Sequence, residues 1–290
     1  MIYISSACSK QKIISHAITE LVEQGFKNIE LTGGTQYYEN YERDLLELKD
    51  KYNLNFLIHN YFPPPEEPFI LNLASLDKNI YEKSIKHLKK ALDLTRLLGG
   101  NKFGFHAGFF VDRPIEEIGK KFGRSKLYDR EKALNNFTDG FYRLKDEFKD
   151  IDFYIENNCY SASNYQVYGS KAPFMLLNFQ DYEELRKKID FKLLLDIGHL
   201  MVSAGTFDID FKKEFQDMFK ISDYIHISSN DSKHDQNLGL EKKSQLVEIL
   251  NSCDWENKTV SLEIYKGPDT LTDALIDTYS IVSLFKRSDL

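Results

Sequence analysis

The sequence predicts a single (β/α)8 TIM barrel that spans residues 1–290. Short runs rich in Val, Ile, Leu, Phe and Tyr alternate with amphipathic segments along the chain. This alternation is typical of a parallel sheet with right-handed helical crossovers. Eight such units close a barrel, and ~250 residues is a usual length for one. Neither GxGxxG nor GxxxxGK[ST] follows any of the runs, so the sequence does not indicate the common nucleotide-binding folds.

Each unit can be placed from its pattern of apolar and polar residues. The eight predicted strands are residues 2–5, 28–31, 56–59, 103–106, 153–156, 193–196, 224–227 and 260–263. The predicted helices lie near residues 10–24, 37–51, 77–98, 130–149, 180–188, 208–219, 241–251 and 270–286. The strands are apolar almost throughout, as expected when both faces of a parallel sheet are buried. Long connections follow strands three, four and five, and loops of that length usually carry function.

Six of the runs carry, at or near their carboxyl end, a residue that can bind a divalent metal or transfer a proton. These residues are His59, His106, Glu156, Asp196, His226 and Glu263. In a closed barrel the carboxyl ends of all strands meet on one face, where barrels keep their active sites. Three carboxylates and one imidazole, from Glu156, Asp196, His226 and Glu263, suit Mn²⁺, Mg²⁺, Co²⁺ or Zn²⁺ with positions left open for substrate oxygens. The sequence therefore predicts a metalloenzyme that uses a divalent metal ion.

Net charge, the length of the apolar stretches and the cysteines indicate which partners and which compartment to expect. The chain has 38 basic and 45 acidic residues, a net charge of −7, so no nucleic acid partner is expected. No stretch approaches the ~18 apolar residues that a membrane span needs, so no membrane partner is expected either. Cys8, Cys159 and Cys253 are far apart and form no CxxC, which is typical of reduced thiols in a cytoplasmic protein. Barrels of this kind commonly pair through helices and loops, so a homo-oligomer is one possible assembly of this chain.

Four strand ends resemble those of the xylose-isomerase-like barrel superfamily, namely IENN, LLDIGH, YIHISSND and SLEI. That superfamily contains sugar isomerases and epimerases, inosose-processing enzymes and endonuclease IV. The resemblance covers nearly the whole chain, and its most specific short motif is the pair Asp196 and His199. In the isomerase and epimerase branch it implies a single metal on Glu156, Asp196, His226 and Glu263. It also implies that the two glutamates exchange a proton with the substrate carbon through an enediolate-type intermediate, while His199 contacts a substrate oxygen.

The histidines His59 and His106 leave a second interpretation open. The segments IHNYF and FHAGF resemble endonuclease IV, in which the corresponding histidines bind additional zinc ions. That branch also has an Asp-x-His pair in the loop after strand seven, which is broken here in SKHDQNLG, residues 232–239. Asp235 and Lys233 stand in the two positions, and a slip of the loop would be needed to bring His234 or Asp231 into place.

Three functions therefore follow, in order of preference. The first is a metal-dependent isomerase or epimerase of a small-molecule sugar or sugar phosphate, in which His59 and His106 bind substrate or hold a second metal. The second is a zinc phosphodiesterase similar to endonuclease IV, and the third is a non-catalytic carbohydrate-binding relative.

Several other charged residues allow more than one role. Glu30 either lines the pocket or forms a salt bridge, and Lys233, Lys266 and Arg113 could bind a phosphate group. His87 lies in a charged run and is placed on the water-facing side of a helix.

Overall fold

The computed structural model describes residues 1–117, 123–265 and 273–285. Within them, eight parallel strands close a barrel in chain order, with the last strand paired to the first, so the predicted TIM barrel is confirmed. The strands β1 to β8 are Ile2–Ser5, Asn28–Leu31, Asn55–His59, Lys102–His106, Asp152–Glu156, Lys192–Asp196, Tyr224–Ile227 and Thr259–Leu262. Each strand begins and ends within one residue of its predicted bounds.

Ten α-helices surround the barrel in the described part of the chain. The helices α1 to α10 are Ile14–Glu23, Tyr41–Tyr52, Lys78–Leu97, Arg130–Glu147, Ala162–Tyr168, Phe179–Arg186, Ile197–Phe207, Phe211–Ile221, Gln245–Asn251 and Asp273–Phe285. Two short 3₁₀ turns lie at Ser6–Cys8 and Ile115–Glu117. No helix in the described part of the chain has the length and apolar character needed to cross a membrane.

Two helices were not predicted from the sequence. Helix α7 begins directly after Asp196, whose side chain accepts a hydrogen bond from the backbone N–H of His199 at 2.7 Å and so caps the helix. Its sequence, IGHLMVSAGTF, is apolar nearly throughout, so it lacks the polar face that reveals most surface helices. Helix α5 has only seven residues and lies within the long connection after β5. A segment of that length is too short for a helical period to be recognised.

The prediction that His87 faces water is wrong. His87 is buried on α3, where its ring lies 5.5 Å from the ring of Tyr61 and 5.7 Å from that of Phe69. Both aromatic residues belong to the long connection after β3. The connection covers this side of α3, and the exposed lysines on either side of His87 conceal that contact in the sequence.

Alternation along the strands determines which side chains enter the barrel. Successive side chains of a strand point to opposite faces. A group of buried side chains fills the barrel interior, namely Tyr3, Leu57, Tyr154, Leu194 and Tyr224. The residue two positions after each of these points to the same side, one layer nearer the carboxyl end. Those residues are Ser5, His59, Glu156, Asp196 and His226. The fold therefore directs the predicted site residues into the barrel mouth.

Candidate metal centre

Four of the predicted ligands converge beneath the barrel mouth. One ligand atom from each of Glu156, Asp196, His226 and Glu263 lies within 4.8 Å of the other three. Nδ1 of His226 is 3.6 Å from Oε1 of Glu156, 3.9 Å from Oδ2 of Asp196 and 3.5 Å from Oε1 of Glu263. In an octahedral site with bonds of about 2.1 Å, neighbouring ligands lie about 3 Å apart and opposite ones about 4 Å apart. The separations therefore suit one divalent cation.

Each of these four atoms is a buried donor or acceptor without a hydrogen-bond partner in the described part of the chain. They are Oε1 of Glu156, Oδ2 of Asp196, Nδ1 of His226 and Oε1 of Glu263. A buried polar atom without a partner costs free energy, and most native proteins contain few. Four such atoms that face one another fit the donor set of a metal ion, which would satisfy all of them at once.

The pKa values of the three carboxyl groups in the cluster also fit a cation site. Burial raises the pKa of Asp196 to about 7, and the neighbouring charges of Glu156 and Glu263 add to the rise. Burial also acts to raise the pKa of Glu263, but attraction to His226 outweighs it and lowers the value to about 2. Glu156 is likewise held well below its usual pKa by His106 and His59 in spite of its burial. A divalent cation would remove the repulsion that keeps a proton on Asp196.

Asn157 fixes the geometry between the ends of β5 and β6. Its side chain accepts a hydrogen bond from the backbone N–H of Asp196 at 2.8 Å and donates one to the backbone oxygen of Asp196 at 3.0 Å. The backbone oxygen of Asn157 lies 2.9 Å from Nδ1 of His199. Sequence reasoning did not identify Asn157, although it directly follows Glu156. The residue holds both members of the Asp196–His199 motif in place.

His199 lies at the side of the cluster and faces the cavity. Its Nε2 is 3.8 Å from Oδ2 of Asp235, and its Nδ1 is 3.4 Å from Oε1 of Glu156. Burial acts to lower the pKa of His199, but Asp196 and Asp235 outweigh it and raise the pKa to about 9. The imidazolium can donate a hydrogen bond to an oxygen of a ligand.

His59 and His106 both contact the second oxygen of Glu156. Nε2 of His59 is 2.6 Å from Oε2 of Glu156, and Nδ1 of His106 is 3.1 Å from the same atom. Burial lowers the pKa of His106 to about 4, so this imidazole is neutral near pH 7. Two further groups with metal-binding spacing include these histidines, namely His59, Glu156 and His226, and His106, Glu156 and His199.

A cavity of about 720 Å³ opens above the cluster. His59, His106, His199 and Glu263 line it, whereas Glu156, Asp196 and His226 are buried beneath. Apolar surface, including that of Ile70, Leu71, Phe109 and Phe174, makes up most of the wall. Amides and hydroxyls are interspersed with it, namely Asn60, Asn158, Ser161, Asn164, Asn237 and Tyr265. Such groups hydrogen-bond to polar ligands.

Tyr265 is a cavity residue that sequence reasoning missed. It follows Glu263 by two positions, and the period of a strand would have placed both on the same side. Burial raises the pKa of Tyr265 well above its usual value, and the charge of Glu263 adds to the rise. Its phenol therefore remains a hydrogen-bond donor at the cavity wall.

The loop after β7 pairs its candidate ligands with each other. Asp231 accepts hydrogen bonds from the backbone N–H groups of Lys233 and His234 at 2.9 and 2.8 Å. Nδ1 of His234 lies 2.8 Å from the other oxygen of Asp231. Among the described residues, neither belongs to a group with metal-binding spacing. Asp235, in contrast, lies near His199, with its Oδ2 3.8 Å from Nε2 of that histidine.

The predicted phosphate contacts and Glu30 also have defined places. The buried guanidinium of Arg113 lines the cavity but lies 3.0 Å from Oε2 of Glu117, with which it forms an ion pair. Lys233 is exposed, and Lys266 lies outside the described residues. Glu30 is fully buried, with Oε1 3.0 Å from Nε2 of His226, so its salt-bridge interpretation agrees with the structure.

The chain is similar to one protein family and to several curated endonucleases. A model of the family described as xylose isomerase-like TIM barrel matches residues 18–277. Apurinic-apyrimidinic endonuclease 1 of Plasmodium berghei is 24% identical over 245 residues, which cover 77% of this chain and 42% of that protein. Probable endonuclease 4 of Carboxydothermus hydrogenoformans is 24% identical over 226 residues, covering 72% of this chain and 70% of that protein. The chain thus spans less than half the length of the Plasmodium proteins it matches.

Solved structures with the same fold carry names of both kinds. A D-tagatose 3-epimerase-like protein has a TM-score of 0.70 at 15% identity, with 100% of this chain and 99% of that chain covered. Endonuclease IV from Thermus thermophilus has a TM-score of 0.59 at 14% identity, with 98% and 99% covered. At these identities the likeness shows the fold.

Proposed function

Because the chain belongs to the xylose isomerase-like TIM barrel family, we propose that it is a divalent-metal-dependent isomerase or epimerase of a sugar or sugar phosphate. The observation that carries the proposal is the set of four unpartnered, buried ligand atoms beneath a cavity whose wall includes several amides and hydroxyls. Such a wall suits a ligand rich in hydroxyl groups. The name of the D-tagatose 3-epimerase-like structure agrees with this class of substrate.

In this proposal Glu156, Asp196, His226 and Glu263 hold the cation. When bound there, a divalent cation supplies polarisation of a substrate carbonyl and stabilisation of the negative charge of an enediolate-type intermediate. The metal could be Mn²⁺, Mg²⁺, Co²⁺ or Zn²⁺, because the ligand set accepts each of them.

The two glutamates act as the acid–base pair and exchange roles with the direction of reaction. Glu263 lines the cavity, so its carboxylate can remove a proton from the substrate carbon directly. Glu156 lies beneath the cavity, and its Oε2 contacts His106, which does line the cavity. A proton moving between Glu156 and the substrate would therefore pass through the His106 imidazole. His199 donates a hydrogen bond to a substrate oxygen, and His59 either binds a hydroxyl or joins His106 at a second metal.

Exchange of a substrate C–H proton with solvent tests this assignment. A panel of ketoses and ketose phosphates would be incubated with the metal-loaded protein in D₂O and followed by NMR. We expect Glu156→Gln and Glu263→Gln to stay folded and to slow exchange by ~10²–10⁴-fold. Glu82→Gln, which changes an exposed glutamate paired with Arg143, is the matched control and should exchange at the wild-type rate. Retained exchange in both site variants would contradict the proposal, and sugar binding without exchange in the wild type would indicate a non-catalytic relative.

A second candidate function is favoured by one observation, the contact of both His59 and His106 with the same oxygen of Glu156. A glutamate shared between two sets of ligands suits a pair of metal ions, which hydrolytic enzymes use to activate water and stabilise a leaving oxygen. The curated relatives bear the names of endonucleases. The candidate is a zinc phosphodiesterase similar to endonuclease IV.

Elemental analysis of protein purified without chelator separates the two functions. About one divalent ion per chain favours the isomerase or epimerase, whereas two or three zinc ions favour the phosphodiesterase. The phosphodiesterase further predicts zinc-dependent cleavage of abasic DNA that His106→Ala abolishes. A protein that binds no metal after reconstitution would contradict both.

A further inference from the structure

We infer that Glu30 is a positioning residue of the metal centre, which acts through His226. Its carboxylate fixes the tautomer and the rotation of the His226 imidazole, so that Nδ1 presents a lone pair to the cation. This inference rests on the metal dependence of the proposed function, but it does not depend on which substrate is used.

Glu30 reaches His226 from the far side of β1 and β8. It lies on β2, is fully buried and makes its side-chain hydrogen bonds to β7 and β8. Oε1 is 3.0 Å from Nε2 of His226 and accepts a hydrogen bond from the hydroxyl of Tyr224. Oε2 accepts a hydrogen bond from the hydroxyl of Ser261 at 2.6 Å. Three donors thus surround one carboxylate inside the barrel.

A carboxylate at this depth is an unusual feature of a barrel interior. Branched apolar side chains normally fill such an interior, as Leu57 and Leu194 do here. Burying a carboxylate costs free energy even when it is well paired, and apolar replacement of a buried ion pair is often neutral or stabilising. Stability alone therefore gives little reason for Glu30, and its contact with a metal-centre residue gives one.

The orientation of His226 follows from this contact. A carboxylate accepts hydrogen bonds, so Nε2 of His226 carries the proton and points towards Glu30. With a metal ion bound, Nδ1 would be the unprotonated nitrogen, and it faces Oε1 of Glu156 and Oε1 of Glu263 at 3.6 and 3.5 Å. In the other tautomer Nδ1–H would point at the cation and exclude it. Metal-binding histidines commonly use their second nitrogen in this way, with a carboxylate as partner.

Tyr224 and Ser261 fix the carboxylate in turn. The Tyr224 hydroxyl donates to Oε1 of Glu30, the oxygen that contacts His226, and the Ser261 hydroxyl donates to Oε2. Removing the Ser261 hydroxyl leaves the oxygen that contacts His226 untouched. Loss of the Tyr224 hydroxyl should therefore affect metal binding more than loss of the Ser261 hydroxyl, because only Tyr224 bonds to the oxygen that contacts His226.

Titration with Co²⁺ tests the inference, with the affinity and the visible absorption of the bound ion as readouts. We expect Glu30→Met to weaken Co²⁺ binding 10–100-fold, the range found for such outer partners. Glu30→Gln keeps an oxygen that can accept from His226, so it should recover part of the affinity. Ser84→Ala is the control, because it removes a buried hydroxyl on α3 that bonds to the backbone of Ile80 and Asn72, and it should bind Co²⁺ within about twofold of the wild type.

Nitrogen-15 NMR of the histidine side chains in the Zn²⁺-loaded wild-type chain gives a readout that a purely structural role would not move. We expect His226 to be protonated at Nε2 and metal-bound at Nδ1. Binding through Nε2 would overturn the inference, and so would Glu30→Met binding Co²⁺ as the wild type does. The NMR measurement uses the wild-type chain, so it still tests the inference if Glu30→Met does not fold. A wild-type chain that binds neither Co²⁺ nor Zn²⁺ would instead refute the proposed function itself.

Discussion

His59 contacts Glu156 across an intervening strand, with Nε2 of His59 2.6 Å from Oε2 of Glu156. His59 ends β3 and Glu156 ends β5, while β4 lies between them and places Gly104 beside His59. A Cβ atom at position 104 would lie 3.2 Å from Cδ2 of His59 and 2.6 Å from Cδ1 of Leu194. The absence of a side chain at Gly104 therefore provides the space for this contact.

We expect Gly104→Ala to disturb the barrel interior. Leu194 is fully buried and has little room to move, so the added methyl group should cost about 1–3 kcal/mol of unfolding free energy, as overpacking commonly does. The matched control is Gly33→Ala, whose Cβ would make only an ordinary contact of 3.5 Å with Cβ of Tyr61. Urea unfolding measures both variants. Equal stability of Gly104→Ala and the wild type would mean that Leu194 and His59 yield without cost.

The barrel, and the convergence of the predicted ligands at one end of it, could be predicted from the sequence for a simple physical reason. Both faces of a parallel barrel strand are buried, so each strand is an apolar run that stands out against amphipathic helices. Closure then brings the ends of distant runs together, so the sequence alone predicts that Glu156, Asp196, His226 and Glu263 lie near one another.

The contacts that orient these ligands could not be predicted in the same way. Asn157 acts through hydrogen bonds to another strand, and no local pattern distinguishes it from a loop asparagine. The role of Glu30 depends on side chains of β7 and β8, about two hundred residues later in the chain. The prediction that His87 faces water is wrong because the charge pattern of a helix does not show which loop covers it. In each case the missing information was tertiary.

We expect Asn157→Ala to weaken metal binding more than its loss of stability explains. The substitution removes both side-chain hydrogen bonds to the backbone of Asp196, at 2.8 and 3.0 Å, and so frees a predicted metal ligand to move. Loss of such a supporting contact typically lowers metal affinity 10–100-fold. Isothermal titration with Mn²⁺ or Zn²⁺ gives the affinity, and urea unfolding of the metal-free protein gives the stability.

The neighbouring Asn158 provides the control for that experiment. Its side chain donates hydrogen bonds to the backbone oxygens of Ala107 and Met175, at 2.9 and 2.8 Å, and none of these bonds involves the four predicted ligands. Asn158→Ala should therefore lower stability by about 1–3 kcal/mol, the cost of unsatisfied buried groups, with little change in metal affinity. Equal losses of metal affinity in the two variants would refute the specific role of Asn157.

The buried His87 should make the protein less stable as the pH falls from about 6.5 towards 4. Burial lowers the pKa of His87 to about 4, and the charge of Lys90 adds to the effect. An unfolded histidine has a pKa of about 6.5, so between these values the unfolded chain binds more protons, and stability is lost as the pH falls. The full effect is up to about 3 kcal/mol. His87→Phe should retain the ring contacts and flatten this slope, whereas His16→Gln, at an exposed position, should not. Urea unfolding at pH 7, 6 and 5 measures the slopes, and an unchanged slope in His87→Phe would mean that this histidine does not control acid stability.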